Sequence, residues 1–395
     1  MAEQWEVVMS NGKLKMDNCQ LPTVNSKFKR TEVGGIPNDW EVKRIDECSK
    51  ICVGRDLIEA HYSPIQDHKY RYPIYSNTVD NRGLYGYYDI EEYKGESLTV
   101  VGRGVGLGTA FKRDGGYGAI GRLLILFPLE KYDASFLTEY INHRVKIFEE
   151  SSGIPQLTSV SLSKYKIPLP PTKAEQTTIA AALSDADALI TQLEKLIAKK
   201  RNIKRGAMHE LLTGQKRLPG FSGKWEVMEL GEVLKVRHGK SQKEIIDENG
   251  EFPILATSGV VGRTSTFIYN KPSVLIGRKG TIDVPQYMDT PFWAIDTIFY
   301  TEIFENAFPK FIFYKFNLID WYSHNEASGV PSLNAKTIEK IEMLFPQTKE
   351  EQTTIARILS DMDAEIEALE KKLEKYKMIK QGMMQNLLTG KIRLV

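Results

Sequence analysis

Cysteine is scarce in this sequence. Three residues in 395, Cys19, Cys48 and Cys52, are too few and too clustered for a disulfide framework, so the fold must rest on hydrophobic cores. A metal site needs more ligands than Cys48 and Cys52 with His61 and His68 nearby supply, and ordinary buried thiols are expected. Long apolar runs are also missing. No stretch approaches the roughly 18 residues of a membrane span, and the N-terminus carries no signal-peptide pattern, which predicts a cytoplasmic chain without a membrane partner. Charge of one sign is lacking as well: 53 Lys and Arg stand against 51 Asp and Glu, a net +2. By block the net charge is +1 for 1–35, −1 for 36–168, +4 for 169–220, −3 for 221–344 and +1 for 345–395. Nonspecific nucleic-acid binders are strongly basic because phosphate neutralisation supplies their affinity. Charge alone therefore gives nucleic-acid binding no support.

Signatures of catalysis are absent too. An amino-methyltransferase needs an Asn/Asp-Pro-Pro-aromatic segment, but the one Pro-Pro, Pro170-Pro171, is followed by Thr172. Gly239-Lys240-Ser241 matches the end of a phosphate-binding loop, yet Leu234 holds the position of its leading glycine. The glycine run Gly102–Gly108 has Leu107 where a dinucleotide loop needs its third glycine. Neither His-Glu-x-x-His nor Gly-x-Ser-x-Gly occurs. A chain without catalytic residues, metal or cofactor of its own is expected.

What the sequence does contain is itself, twice. Thr172–Gly214 and Thr348–Gly390 are identical at 26 of 43 positions, without a gap, at an offset of 176 residues. Prolines precede each copy and a Thr-Lys-x-Glu-Gln opening follows, as at a helix start. The apolar seams run Ile179, Leu183, Ala186, Ile190, Leu193, Ile197 and Ile355, Leu359, Met362, Ile366, Leu369, Leu373, Tyr376. Their alternating spacing of 4 and 3 predicts two long helices that pair with one another, antiparallel, as a spacer. Each rod should end near Gly206 or Gly382, with a short apolar piece beyond it closing in Leu-Leu-Thr-Gly.

The blocks ahead of the rods resemble each other in fragments. IPNDWEVKRI (36–45) matches FSGKWEVMEL (221–230), and YPIYS (72–76) matches FPILA (252–256). VVGRGVGLGT (100–109) and VLIGRKGTID (274–283) share a glycine-bracketed arginine, and SGIPQL (152–157) recurs as SGVPSL (328–333). Two diverged copies of one α/β (α+β) domain are predicted, separated by two long antiparallel coiled-coil helices in a pseudo-two-fold duplication. The expected segments are an arm (1–35), a globular domain (36–168), a central helical region (169–214), a second domain (215–344) and a C-terminal helical region (345–395).

A shared frame with divergent loops suits a protein that reads two different targets at a fixed distance. The Glu-Gln openings (Pro171–Gln176 and Gln347–Gln352), the Leu-Ser-Asp-x-Asp turns (183–187 and 359–363), Leu-Leu-Thr-Gly and LPGFSGKWEV (218–227) together resemble the specificity subunit of type I restriction–modification systems. The resemblance implies that each block reads one half of a split site in double-stranded DNA. It implies that the helices set the spacing and dock two methylation subunits, with Ile179, Leu183, Ile190, Leu193, Ile355, Leu359, Ile366, Leu369 and Leu373 as the spacer and partner interface. S-adenosylmethionine chemistry would then sit on the methylation subunits, and ATP and Mg on restriction and translocase subunits. Two other classes stay open from the residues themselves: a coiled-coil adaptor with two protein-binding domains, and an enzyme with an unrecognised site in one block.

Recognition loops vary within such a family, so contact residues come from residue chemistry alone. Arg, Lys, Asn and Gln read base edges, while Arg, Lys and hydroxyls hold phosphate. Arg103, Arg278 and Lys279 lie in glycine-bracketed turns, Arg55 follows Gly54, and Arg237 and Lys240 surround the corresponding turn. Arg82 with Tyr85 forms an aromatic–basic cluster, and Arg263 is expected in a comparable turn of the second block.

Overall fold

The computed structural model describes residues 28–145 and 156–394, with the backbone of two short strands, Val8–Ser10 and Lys13–Lys15. Cys19, the rest of residues 1–27 and the first four residues of SGIPQL lie outside the described residues. The chain divides into two compact units, Met1–Gln192 with Glu374–Val395, and Leu193–Leu373. The first long helix, Lys173–Leu212, therefore gives 20 residues to each unit, and the second, Lys349–Leu387, gives 25 to the second unit and 14 to the first.

In the first unit, a four-stranded antiparallel sheet runs in the order Ala110–Arg113, Ser97–Val100, Leu124–Pro128, Ser49–Val53. Alternation decides where its side chains go. Leu124 and Leu126 join the helical core, with Phe136, Leu137 and Tyr140 of helix Ala134–Arg144 and with Ile179 and Leu183. Leu123 and Ile125 face the other way and pack with Tyr117 and Ala119 of a second, mixed sheet. The second unit repeats the plan. Its four-stranded sheet is Leu234–His238, Ile298–Ile303, Ser273–Gly277, Gln286–Met288, and a smaller sheet forms around Phe252–Ala256.

Fragments matched in sequence prove to be matched in register. Tyr72–Tyr75 and Phe252–Ala256 each pair antiparallel on one side and parallel on the other, with a bulge at the same step, Ile74/Tyr75 and Ile254/Leu255. Trp40 meets Phe136 edge-on at 6.4 Å, and Trp225 meets Phe311 at 6.5 Å. The expected α/β class and internal duplication are both present.

The helices are Lys173–Leu212 and Lys349–Leu387, 40 and 39 residues, each about 60 Å at 1.5 Å per residue. Thr172 and Thr348 cap them, their hydroxyls accepting from the Glu175 and Glu351 amides at 3.2 and 3.4 Å. The breaks expected at Gly206 and Gly382 do not occur. A helical glycine costs about 1 kcal/mol, and burial of Leu211, Leu212 and Leu387 beyond it offsets that. The seam also divides its work. Ile179, Leu183, Ile355 and Leu359 join the domain cores together with the end of the other helix, Leu387 in the first and Leu211 and Leu212 in the second, while Leu193, Ile366 and Leu373 are buried further along and Ile190 and Leu369 are half-buried.

Antiparallel pairing appears within each unit as ion pairs. Asp187 accepts from Lys380 at 2.6 Å in the first unit; in the second, Asp363 pairs with Lys204 and Glu365 with Lys200 at 2.7 Å. The first two are one interaction seen twice, since 187 and 363, and 204 and 380, are each 176 apart. The same holds at the helix starts. Arg217 grips Glu351 through two bonds of 2.8 Å, and Arg393 grips Glu175 through two bonds, adding Asp39 at 3.1 Å. Glu175 and Glu351 are buried. Each adjacent glutamine completes the join: Gln176 accepts from the Asp133 amide at 2.9 Å and Gln352 from the Phe308 amide at 2.8 Å.

One member of the duplicated core departs from the pattern. Tyr140 lies four residues after Phe136, and the matching place after Phe311 holds Lys315, almost fully buried. Its ammonium donates to the Leu212 carbonyl at 2.7 Å and to that of Leu344, among the rings of Trp225, Phe311 and Phe345. Burial without a carboxylate pushes its pKa down to about 7.

Two stability predictions arise here. Removing one partner of a buried pair costs about 3 kcal/mol, so Glu175→Gln should lower amide-exchange protection in the first unit and leave the second unchanged; Glu351→Gln should do the reverse. Lys315 gives a pH signature. Below pH 7 it is protonated folded and unfolded, and the burial penalty is present in full; between about 7 and 10 only the unfolded chain keeps the proton, so stability rises with pH. Unfolding midpoints across that window should show the rise in the wild type, by up to about 1.4 kcal/mol per pH unit, and lose it in Lys315→Met.

Candidate nucleic-acid interface

Strand direction gathers the predicted cations at one end of each unit. Ser49–Val53 and Ser97–Val100 both pair antiparallel with Leu124–Pro128, so they run the same way and finish at the same end of the sheet, about 10 Å apart at two strand spacings. Gly54-Arg55 follows one and Gly102-Arg103 the other. Leu234–His238 and Ser273–Gly277 flank Ile298–Ile303 in the same manner, followed by Gly239-Lys240 and Arg278-Lys279.

The glycines are needed for close approach. A Cβ on Gly54 would stand 2.8 Å from the Ala119 carbonyl, and one on Gly239 would stand 2.5 Å from that of Ala294. Beyond them Arg55 donates its amide to Ala119 at 2.9 Å and Lys240 to Ala294 at 2.8 Å, which fixes the two as equivalents. The second turn is held by the last residues of SGIPQL and SGVPSL: the Leu157 amide donates to the Gly102 carbonyl at 2.8 Å, and Leu333 to Arg278 at 2.9 Å. Arg103 bridges Gln156 and Lys279 bridges Ser332. Arg103 therefore corresponds to Lys279, not to Arg278 as their glycine brackets led one to expect. Arg278 is half-buried, and its Nε donates to the Asp296 carbonyl at 2.8 Å.

Other expected positions are placed differently. Arg237 points from a strand into an ion pair with Glu302 at 2.8 Å, and that hydrogen bond and charge hold its guanidinium above its usual pKa. Arg263 does not occupy a turn comparable to that of Arg82. It sits on strand Gly259–Thr264 opposite Pro253, where Tyr87 lies opposite Pro73, and its guanidinium donates to the Gly250 and Glu251 carbonyls at 2.7 Å. Tyr85 is half exposed and packs against Tyr62 at 5.7 Å. Arg82 lies in the hairpin loop after Tyr72–Tyr75, exposed, at the same end as Arg55 and Arg103.

Three residues of this end escaped the sequence reading. Asn77 staples it, accepting from the Gly102 amide at 2.8 Å and donating to the Gly121 carbonyl, while the Gly121 amide donates to Arg55 at 3.0 Å. Arg122, exposed beside Gly121, is a fourth arginine here; its Gly-Arg step beside a strand repeats that of Gly54-Arg55, which was a usable signal. Arg113 is buried beneath the hairpin loop, and burial lowers its pKa to about 10. Nothing local marks Asn77 or Arg113, whose partners are 14 to 44 residues away. Cations fixed by backbone bonds at a common end can grip phosphate and offer forked donors to base edges.

Comparison with known proteins identifies the family. A family model described as the type I restriction modification DNA specificity domain matches residues 37–205 and again 222–377. The MjaVIII type I restriction enzyme specificity subunit of Methanocaldococcus jannaschii is 25% identical, over 93% of this chain and 96% of its own. A specificity subunit assigned to Mycoplasma pneumoniae, S.MpnORF507P, is 24% identical over 80% and 87%. The crystal structure of a type I restriction–modification S subunit from M. genitalium shares the fold, with a TM-score of 0.67 at 18% identity over 93% of this chain and 98% of that one. Among the described residues no helix is long and apolar enough to cross a membrane. The chain belongs to the type I restriction modification DNA specificity family and carries two recognition domains, one in each unit.

Proposed function

We propose that each recognition domain reads one half of a split double-stranded DNA site through the loops at the end of its larger sheet. Arg55 and Arg103 serve the first half-site, and Lys240 and Lys279 the second. The observation that carries this reading is the paired cations at equivalent backbone positions of both units, in a chain of the specificity family. The slightly acidic character of both blocks fits a chain that binds DNA as part of an assembly, where partners add phosphate contacts. The long helices set the spacing between half-sites and dock two methylation subunits, and restriction and translocase subunits complete the complex. Catalysis, S-adenosylmethionine, ATP and Mg belong to those partners.

Purification with its methylation partners, followed by sequencing of methylated bases in genomic DNA, tests the reading; a split motif that depends on this chain is the expected result, and no motif despite a stable complex would sink it. Arg55→Ala with Arg103→Ala should weaken binding of the complex about tenfold and make the salt dependence shallower by about one unit for each phosphate left without its arginine. Inserting four residues, about one helical turn, between Gln192 and Leu193 and again between Leu373 and Glu374 should lengthen the gap in the methylated motif while both half-sites stay the same.

A further inference from the structure

Backbone strain among the described residues is concentrated in one place. Only three non-glycine residues there have positive φ: Asn81 at 45°, Arg82 at 54° and Arg122 at 62°. All three lie in two loops at the DNA-facing end assigned to the first domain. An L-residue held there is destabilised by roughly 1 kcal/mol or more, and such geometry persists only where the surroundings impose it. Glycine would adopt it freely, yet two of the three positions hold arginine.

The surroundings that impose it are visible. Arg113, 5% exposed, donates from Nη2 to the Arg82 carbonyl at 2.6 Å and from Nε to Thr99 Oγ1 at 3.0 Å, with its guanidinium 3.5 Å from the centre of the Tyr75 ring. The Ser76 amide donates to Gly83 at 2.8 Å, closing the loop, and Asn77 holds the Gly121 carbonyl beside Arg122. Arg82 itself stays exposed, its guanidinium leaning over Phe111 at 5.7 Å.

The second domain is an internal comparison that lacks the whole device. Its matching hairpin joins Ala256 to Gly259 through two residues, where the first domain has a loop from Ser76 to Gly83. The place of Arg113, opposite Ser97, is taken by Met288, opposite Ser273. The place of Arg122, in the turn closed by Leu123 and Ile120, is taken by Thr297, in the turn closed by Ile298 and Ile295. Since the second domain forms the same strand pairing and the same bulge without these features, the frame does not require them.

We infer that Arg82 and Arg122 are specificity-determining contacts peculiar to the first domain, Arg82 reading a guanine edge with its forked donors, and that Arg113 is the positioning residue that holds Arg82. This rests on the proposed reading of split DNA sites. Arg82→Gly is the decisive variant, because glycine relieves the strain while removing the side chain. In complex with the methylation partners it should keep or raise the thermal midpoint, yet preference for the native base should fall about tenfold or more in one half of the motif, the other half unchanged. Arg122→Gly should weaken the same half. Arg113→Met should reproduce the relaxation of Arg82→Gly although every exposed side chain remains. An unchanged motif in Arg82→Gly, or relaxation of both halves, overturns the inference and leaves the general reading intact; a wild-type complex that yields no split motif overturns that reading instead.

Discussion

Everything else in this chain hangs on a buried Arg–Glu clamp that occurs twice with its partners exchanged. Glu175 and Glu351 hold the same position in the two helix starts, and Arg393 and Arg217 the same position beyond the two helix ends. Each glutamate is gripped by the arginine of the other copy. A buried carboxylate is tolerable only when it is fully bonded, and here a partly exposed guanidinium fork meets both carboxylate oxygens in each unit. A tail seated by that fork has little freedom, so Leu387 and Leu388 enter the first core and Leu211 and Leu212 the second. The clamp seats one tail in each domain, and the helix itself settles which, since about 60 Å of helix between Glu175 and Leu212 keeps Arg217 from reaching Glu175. It also explains why identity between the copies concentrates in Glu-Gln, Leu-Ser-Asp-x-Asp and Leu-Leu-Thr-Gly: these supply the clamp, the Asp187–Lys380 and Asp363–Lys204 pairs, and the core plug.

The domains follow the opposite logic. What they share is backbone: the bulged strand, the glycines at 54 and 239, the bridge from Arg103 or Lys279 to the closing segment. What differs is carried on that backbone, as with Arg113 against Met288. A frame fixed by main-chain bonds can keep its geometry while its loops change length and charge, because those bonds do not depend on side-chain identity. That separation lets one duplicated domain carry two different reading surfaces.

The same separation governs how much the sequence could tell. Helices, heptad seams and the matched strands are local patterns, and they were legible. The glycine-bracketed turns were legible as turns, yet pairing Arg103 with Arg278 followed the brackets and missed the register, which is set by contacts with Gln156 and Ser332 more than 50 residues on. Arg263 shows the same limit: its Gly-Arg context resembles a turn, and only the pairing with Pro253 shows it to be a strand residue holding two carbonyls. Gly206 read as a helix stop because a local penalty of about 1 kcal/mol is visible in sequence, whereas the burial of Leu212 that outweighs it is not.

The exchange of tails also sets an order on folding. The second unit is contiguous, Leu193–Leu373, and its clamp spans 134 residues. The first needs Glu374 onward, and its clamp spans 218, with Asp39 to Arg393 spanning 354. In closure entropy the two clamps differ little, since doubling a loop costs only about 0.6 kcal/mol. The difference lies in time. During synthesis the second core can close while the first still lacks Leu387 and Leu388, which complete its cluster with Trp40 and Ile179. Completion of the first core therefore waits on Arg393 and the leucines ahead of it, in a clamp that spans 218 residues from Glu175.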